Sequence, residues 1–298
     1  MTVENQTDLS VPDLGARRKP ARRSLRRPLR VGLTHLVLVG AALLTLFPVL
    51  LLISTALKEP SDVKVNPFGL FTSFSWDNIV TAWTVGRFSD YIVDSCLLSI
   101  PSTILVLFCA TLAGYTFARL RFPGRTVAFY VVSLGLLVPG FTYMIPLYFQ
   151  LRSMGLLDTL TGAILVLTTG QLAFGTFFMR AFFSELPLEL EQAARVDGCS
   201  EWQIFLRIML PLARSGAAAL TVFTFLQMWN NFLVPLLYLP QGKYRPLTAG
   251  LYMFTGGRTT DIGPLAAGAL ITILPVVLIF IVLQRQVTQG FIAGAVKG

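Results

Sequence analysis

Long uncharged apolar runs dominate the pattern of hydrophobic and polar positions along this chain. A hydrocarbon core of about 30 Å takes about 20 apolar helical residues to cross, at about 1.5 Å each. Six runs near that length contain no Asp, Glu, Lys or Arg. The pattern therefore predicts an all-α, polytopic membrane protein with six transmembrane helices, at residues 33–57, 95–118, 126–151, 159–179, 215–239 and 264–284.

The basic residues between these runs predict how the helices are oriented. If the N-terminal segment is cytoplasmic, the inner segments hold 17 Lys and Arg residues and the outer segments hold 7. Membrane proteins carry their excess of Lys and Arg on the cytoplasmic side, so both termini are predicted to be cytoplasmic. We expect residues 1–30 to form a disordered basic arm, residues 31–285 the membrane domain, and residues 286–298 a cytoplasmic tail.

The composition agrees with a membrane protein and limits its chemistry. Charged residues make up 13% of the chain and hydrophobic residues 54%, and the mean hydropathy is +0.68. The three cysteines, Cys96, Cys109 and Cys199, form no C-x-x-C pair of the kind that zinc sites usually contain, and there is one histidine, His35, so no metal is expected. The P-loop pattern is missing, because the Gly242-Lys243 pair is followed by Tyr244 rather than Ser or Thr. The chain is therefore expected to bind no cofactor and to hydrolyse no ATP.

The segment between the fourth and fifth runs reads as two short helices around a glycine. Pro187 suits a first helical turn, and Gly198 suits a left-handed turn at a helix end. Ser200 and Gln203 have the spacing of a capping box, in which each side chain satisfies a backbone N–H of the other residue. One face of the second helix is apolar, formed by Trp202, Phe205, Leu206 and Met209. Two interpretations stay open, an interfacial helix that anchors two spans or a lever that docks in the groove of a soluble partner.

Four separated motifs in this order resemble the permeases of ATP-binding-cassette importers. Residues 192–211 match the EAA-loop spacing, EAA-x3-G-x9-I-x-L-P, with Gln192 in the first position, Gly198 at the glycine and Pro211 at the end. The other three are residues 113–122 (AGYTFARLRF), 229–232 (WNNF) and 290–298 (GFIAGAVKG). Over most of its length the chain is similar to the second permease subunit of the carbohydrate, maltose-type branch.

This resemblance implies a fold, a set of partners and a set of coupling positions. The fold is that of a type I importer permease in a bacterial or archaeal plasma membrane. The partners are a second homologous permease, a dimer of ATPase subunits that hold ATP and Mg, and an extracellular solute-binding protein, with no nucleic acid. The implied ATPase contacts are the loop of residues 185–214 and the C-terminal tail, at Gln192, Ala193, Ala194, Gly198, Trp202, Leu210 and Pro211, and at Gly294, Ala295, Val296, Lys297 and Gly298.

Gln192 departs from the family pattern, in which this position is usually glutamate. An ionic contact with the ATPase is therefore not expected there, and we expect Gln192 to form a hydrogen bond instead. Glu191 and Asp197 are candidate charged contacts. Glu191 is adjacent to Gln192 but about 100° away around the helix, so it is not a direct replacement.

Three amide side chains interrupt the fifth run and are candidates for the solute pathway. They are Gln227, Asn230 and Asn231, with Gln227 and Asn231 four residues apart on one helix face. Amides in a membrane helix either form interhelical hydrogen bonds, which contribute about 0.6 kcal/mol each, or line a passage for a hydroxyl-rich solute. Both interpretations stay open.

Two other classes of protein compete with a subunit of an ATP-driven carbohydrate importer. A stand-alone secondary carrier would transport without an ATPase, but proton-coupled carriers need ionisable side chains within the membrane and the six runs contain no Asp, Glu, Lys or Arg. A membrane-embedded enzyme would need a carboxylate pair, a histidine cluster or an activated nucleophile. The sequence does not identify the solute, since importers of sugars, polyols and glycerol phosphate share these features.

Overall fold

The computed structural model describes residues 26–242, 244–255 and 261–295. Every regular element in these ranges is a helix, which confirms the predicted all-α class. The helices in the first half are α1 (Arg26–Ala56), α2 (Pro60–Val65), α3 (Asp77–Thr84), α4 (Phe88–Arg119), α5 (Arg125–Leu134), α6 (Gly140–Ser153) and α7 (Leu160–Glu185).

The second half begins with the two short helices that the sequence predicts. The first is α8 (Glu189–Val196). The second runs from Glu201 to Leu212 as α9 (Glu201–Ile204), a π-helical stretch (Phe205–Met209) and α10 (Leu210–Leu212). The remaining helices are α11 (Arg214–Trp229), α12 (Leu233–Tyr238), α13 (Leu247–Met253) and α14 (Ile262–Ala295).

Four helices in the described part of the chain are long and apolar enough to cross a membrane. They are Gly32–Ala56 of α1, α4, α7 and Ile262–Arg285 of α14, and they coincide with the first, second, fourth and sixth predicted spans. The third and fifth predicted spans are not single helices. Residues 126–151 are divided between α5 and α6, and residues 215–239 between α11 and α12.

Local chemistry explains both breaks. Pro139 precedes α6 with an extended backbone, at φ −60° and ψ 133°, and proline has no N–H to continue a helical ladder. In the second break, the Asn231 side-chain oxygen accepts a hydrogen bond from the Val234 N–H at 2.9 Å. This contact satisfies a backbone donor at the start of α12, so a new helix begins there. A hydropathy pattern does not register either event, because the flanking residues stay apolar.

The main core lies between α4 and α7, which approach each other closely at glycines. A Cβ atom on Gly114 of α4 would lie 2.6 Å from the Met179 Cβ and 2.8 Å from the Arg180 backbone nitrogen of α7. Small residues at a helix crossing are a common device of membrane helices, since they let backbones come together. The core continues through α11, α12 and the segment of α8 to α10, with fully buried members at Phe183, Ile204, Met209 and Leu220.

The chain divides into two compact units, residues 1–49 and residues 50–298. In the first unit the described side chains, from Gly32 to Val49, are exposed. The predicted basic arm falls mostly on residues 1–25, which lie outside the described residues. In the second unit α14 continues past the predicted start of the tail at residue 286 and ends at Ala295.

Candidate functional site

The segment between α7 and α11 folds as two helices joined by a tight turn, as the sequence predicts. Pro187, which was expected in the first turn, instead lies two residues before α8 begins at Glu189. Gly198 has φ +80°, the left-handed backbone that glycine adopts without strain. The turn is closed by the Cys199 N–H, which donates to the Ala194 carbonyl at 3.0 Å. Ser200 and Gln203 form the complete capping box. We call residues 185–214 the coupling loop, after the role that the family resemblance implies for them.

The second helix of the coupling loop differs from a regular α-helix. The Leu210 N–H donates to the Phe205 carbonyl five residues earlier, which is the π-helical pattern. Pro211, which follows, has no N–H to donate. At Ala213 the chain then turns by 71° into α11. Such π-helical turns occur frequently at functional sites.

The predicted apolar face of the second helix divides into a buried pair of side chains and an exposed pair. Phe205 and Met209 are buried against the main core. Trp202 stays 58% exposed and Leu206 42% exposed. The predicted face is therefore only half buried. Two large apolar side chains of this face are left in contact with solvent.

The Glu191 carboxylate is buried and paired with arginines of the same chain. Its side chain is fully buried, and its Oε1 atom lies 3.1 Å from Nε of Arg119, the last residue of α4. Its other oxygen lies 3.4 Å from Arg195, one turn further along α8. Arg195 in turn donates two hydrogen bonds to Glu201, at 2.7 and 3.2 Å. The Glu191 carboxylate is thus paired within the chain, and its contact with an ATPase stays a prediction.

The surroundings shift the proton affinities of these groups in opposite directions. Burial raises the pKa of the Glu191 carboxyl above its usual value, and the nearby Arg119 and Arg195 charges oppose that shift. The hydrogen bonds from Arg195 hold the pKa of Glu201 below its usual value. Arg119 and Arg195 therefore favour the ionised form of Glu191, while burial favours the protonated form.

The coupling loop thus has two sides. Its buried side, which we call the loop base, consists of Glu191, Ala194, Ile204, Phe205 and Met209. Its exposed side, which we call the loop crest, consists of Gln192, Ala193, Val196, Asp197 and Gly198. The structure therefore places most of the predicted coupling positions in two groups. Gln192, Ala193, Asp197 and Gly198 are on the crest, while Ala194 is in the base.

The remaining predicted coupling positions lie beyond the crest. Trp202 is exposed beside it, Leu210 is half-buried, and Pro211 is exposed at the end of the loop. In the tail, Gly294 and Ala295 form the end of α14. Val296, Lys297 and Gly298 lie outside the described residues.

A cavity of about 430 Å³ lies between the two broken spans and α7. Two of the three predicted pathway amides, Gln227 and Asn231, line it, together with Gln171 of α7. Asn230 does not line it, and its amide instead donates to the Leu226 carbonyl of its own helix at 3.0 Å. The rings of Phe174 and Phe223, which also line the cavity, are 4.6 Å apart and inclined by 30°. No charged side chain belongs to the lining formed by the described residues.

Residues 87–291 match the protein family described as the binding-protein-dependent transport system inner membrane component. The chain belongs to this family. The matched region contains the coupling loop, the cavity and all helices from α4 to α13. The chain is thus an inner membrane transport component, a multi-pass protein whose apolar helices cross the membrane.

Several characterised permeases are similar to this one over nearly their whole length. The diacetylchitobiose uptake system permease of Streptomyces coelicolor is 34% identical over 269 residues, covering 89% of each chain. The arabinooligosaccharides transport system permease of Bacillus subtilis is 33% identical, covering 90% of this chain and 96% of the other. The trehalose transport system permease of Mycobacterium tuberculosis is 31% identical, covering 88% and 95%.

A solved structure shows the same fold. The crystal structure of a bacterial ABC transporter involved in the import of the acidic polysaccharide alginate contains a chain that matches with a TM-score of 0.74. The two chains are 22% identical, and the match covers 87% of this chain and 97% of the other. The permease therefore has the ABC importer permease fold, with helix breaks as described above.

Sequence reasoning missed two parts of the site. Gln171 lines the cavity, and its signal is an amide within an apolar run, the same signal that pointed to Gln227. Arg119 enters the sequence analysis as a basic residue of the cytoplasmic side and as part of the motif of residues 113–122, with no contact predicted for it. The signal for its role is the acidic residue Glu191, which lies three positions before Ala194 and so shares a face of this short helix with a small apolar residue.

Proposed function

We propose that this chain is one of two permease subunits of an ATP-driven carbohydrate importer, and that its coupling loop docks on an ATPase subunit. The observation that carries this proposal is the structure of the loop. A crest of small and polar exposed residues stands on a base that is buried against the membrane helices. The exposed Trp202 and Leu206 flank this crest and are side chains that a partner groove would cover.

The proposal includes six membrane crossings with both termini in the cytoplasm. In this topology α5 and α6 together make the third crossing, and α11 and α12 together make the fifth. The excess of Lys and Arg in the inner segments supports it. Broken helices are tolerated within a membrane where they are buried in protein or line a cavity, and both breaks here line the cavity.

The chain would perform no bond chemistry itself. ATP and Mg would be held by a pair of ATPase subunits, and an extracellular binding protein would deliver the solute. Closure of the ATPase pair would displace the coupling loop, and α7 and α11, which flank it, would tilt and expose the cavity to the other side. The tail, residues 286–298, is proposed as a second contact with the ATPase pair.

The cavity supports a neutral, hydroxyl-rich solute. Amides donate and accept hydrogen bonds, which suits hydroxyl groups, and apolar rings suit the C–H faces of a sugar. A phosphate or carboxylate would call for Arg or Lys, and the described lining has neither. The named relatives transport diacetylchitobiose, arabinooligosaccharides and trehalose, which favours a sugar over glycerol phosphate.

Reconstitution in proteoliposomes tests the proposal. The permease pair, the ATPase and the binding protein are incorporated together, and uptake of labelled disaccharides is measured with and without ATP. We expect uptake only with the ATPase and ATP present, and competition by neutral oligosaccharides but not by glycerol phosphate. Accumulation of a solute against its gradient by this chain alone would instead establish a secondary carrier.

A further inference from the structure

The coupling loop is fastened to a helix that is not its neighbour in the chain. Its covalent connections are to α7 on one side and α11 on the other. The buried Glu191 instead meets Arg119 at the inner end of α4, and the two side chains are 0% and 7% exposed. A pair buried to this degree is not screened by solvent, so removal of one partner leaves the other charge unpaired in a buried site, which is strongly destabilising.

Arg119 also binds the end of α7. Its Nη2 atom donates to the backbone carbonyls of Phe183 and Leu186. The last carbonyls of a helix have no partner within the helix, and a cation there interacts favourably with the helix dipole. One guanidinium therefore joins three elements, which are α4, the C-terminal end of α7 and α8 of the coupling loop.

An aromatic cluster reinforces the same junction. Tyr115, one turn before Arg119 on α4, lies with its ring 5.5 Å from that of Phe183 and 5.0 Å from that of Phe205. Phe205 belongs to the loop base. The inner end of α4 thus contacts α7 and the first helix of the loop through Arg119. It contacts α7 and the second helix of the loop through Tyr115.

This arrangement restricts how the loop can move. If the loop moved away from α4, Glu191 would lose Arg119 while both groups stayed in a buried environment, which is costly. The lower-energy movement keeps the contact and carries α4 along. Without the contact, displacement of the loop would pass only to its covalent neighbours, α7 and α11.

We propose that Arg119 is a positioning residue that transmits displacement of the coupling loop to α4, so that α4, the inner end of α7 and the loop move as one body. The proposal rests on the proposed function, since it assumes that an ATPase displaces the loop. It adds α4 to the helices that move with the loop, α7 and α11, and assigns this link to Arg119, which is far from the loop in sequence.

The first test measures coupling in the reconstituted full complex, as solute molecules taken up per ATP hydrolysed. Arg119→Gln and Glu191→Gln are each expected to lower this ratio about tenfold, within the range of roughly 5- to 150-fold that is typical of coupling between sites. The double variant is expected to be no worse than either single variant, because all three lose the same contact. Arg121→Gln is the matched control, since Arg121 is exposed two residues further on.

The second test measures the movement itself by distances between spin labels. After replacement of Cys96, Cys109 and Cys199, labels are placed on cysteines at Arg121 and at Arg207 of the coupling loop, which are exposed and lie outside the crest. The parent complex is expected to show one narrow distance distribution that does not change between nucleotide states. In Arg119→Gln the distribution is expected to broaden and to differ between nucleotide states.

Unchanged coupling together with an unchanged distance distribution in Arg119→Gln would overturn the proposal. If Arg119→Gln does not yield a folded complex, Glu191→Gln, which keeps the side-chain shape, carries the same two measurements with the same expected results. Failure of the proposed function looks different, because the unmodified chain would then not transport with the ATPase at all.

Discussion

Two physical reasons could require a glycine at position 198 of the loop crest, and substitutions there distinguish them. The first reason is conformational, because φ is +80° at this position, where a residue with a Cβ atom is strained by about 1–2 kcal/mol. The second is a partner surface that leaves no room for a side chain. Within the permease itself there is room, since a Cβ atom on Gly198 would meet nothing within 4 Å.

The structure sets the size of the conformational effect. Gly198→Ala is expected to cost about 1–2 kcal/mol of loop stability, which lowers the equilibrium constant for the correct turn by about 5- to 30-fold and the apparent affinity for the ATPase by at most the same factor. Gly198→Asn is expected to cost less, because asparagine visits this backbone region more readily. Gly198→Leu has the same backbone cost as alanine, but its side chain projects from the crest.

Binding of the purified ATPase to the permease pair in nanodiscs is the assay, with thermal stability measured in parallel. If the crest docks in a groove, Gly198→Leu weakens binding at least about tenfold more than Gly198→Ala, at equal thermal stability. Equal losses of affinity for the two variants would refute docking of the crest, because the glycine would then serve only the turn.

The remaining predictions concern packing, protonation and the cavity. Gly114→Ala forces a Cβ atom against the α7 backbone, and overpacking of this kind costs about 1–3 kcal/mol, so a lower melting temperature is expected than for Gly40→Ala, which meets nothing within 4 Å. Burial raises the pKa of Glu191, so the folded state takes up the proton first as pH falls. As pH falls from neutral towards the pKa of Glu191 in the unfolded chain, the unmodified protein should therefore gain thermal stability relative to Glu191→Gln. As pH rises again through the pKa of Glu191 in the folded state, this gain is lost. Gln227→Leu removes one hydrogen-bonding group from the cavity and is expected to raise the KM for transport about two- to tenfold, whereas Asn230→Ala, outside the cavity, should leave it unchanged.

The parts of the fold that the sequence predicted correctly depend on local signals. Uncharged runs longer than 20 residues identify α1, α4, α7 and α14, because length and polarity alone define a membrane helix. The turn at Gly198 and the capping box at Ser200 depend on neighbouring residues only. These features were predictable because each is complete within a few turns of chain.

The parts that the sequence did not predict depend on contacts between distant residues or on single backbone groups. The break before α6 arises at Pro139, and the break before α12 arises where Asn231 satisfies one N–H. The contact between Arg119 and Glu191 joins two helices with no pattern in common. A hydropathy profile averages over many neighbouring residues, so it reports neither a helix break at a single backbone group nor a contact between distant residues.

The substitution at Gln192 can be understood from the two sides of the loop. Neighbouring residues of a helix point about 100° apart, so position 192 faces outward while position 191 faces the base. A charge at the exposed rim of an interface contributes about 0–1 kcal/mol, whereas removing one partner of a buried pair costs about 3–5 kcal/mol. Neutral Gln192 therefore gives up only the weaker of the two interactions. Glu191 retains the stronger one, with Arg119, because without that carboxylate the guanidinium would be left in a buried site with only backbone carbonyls as partners.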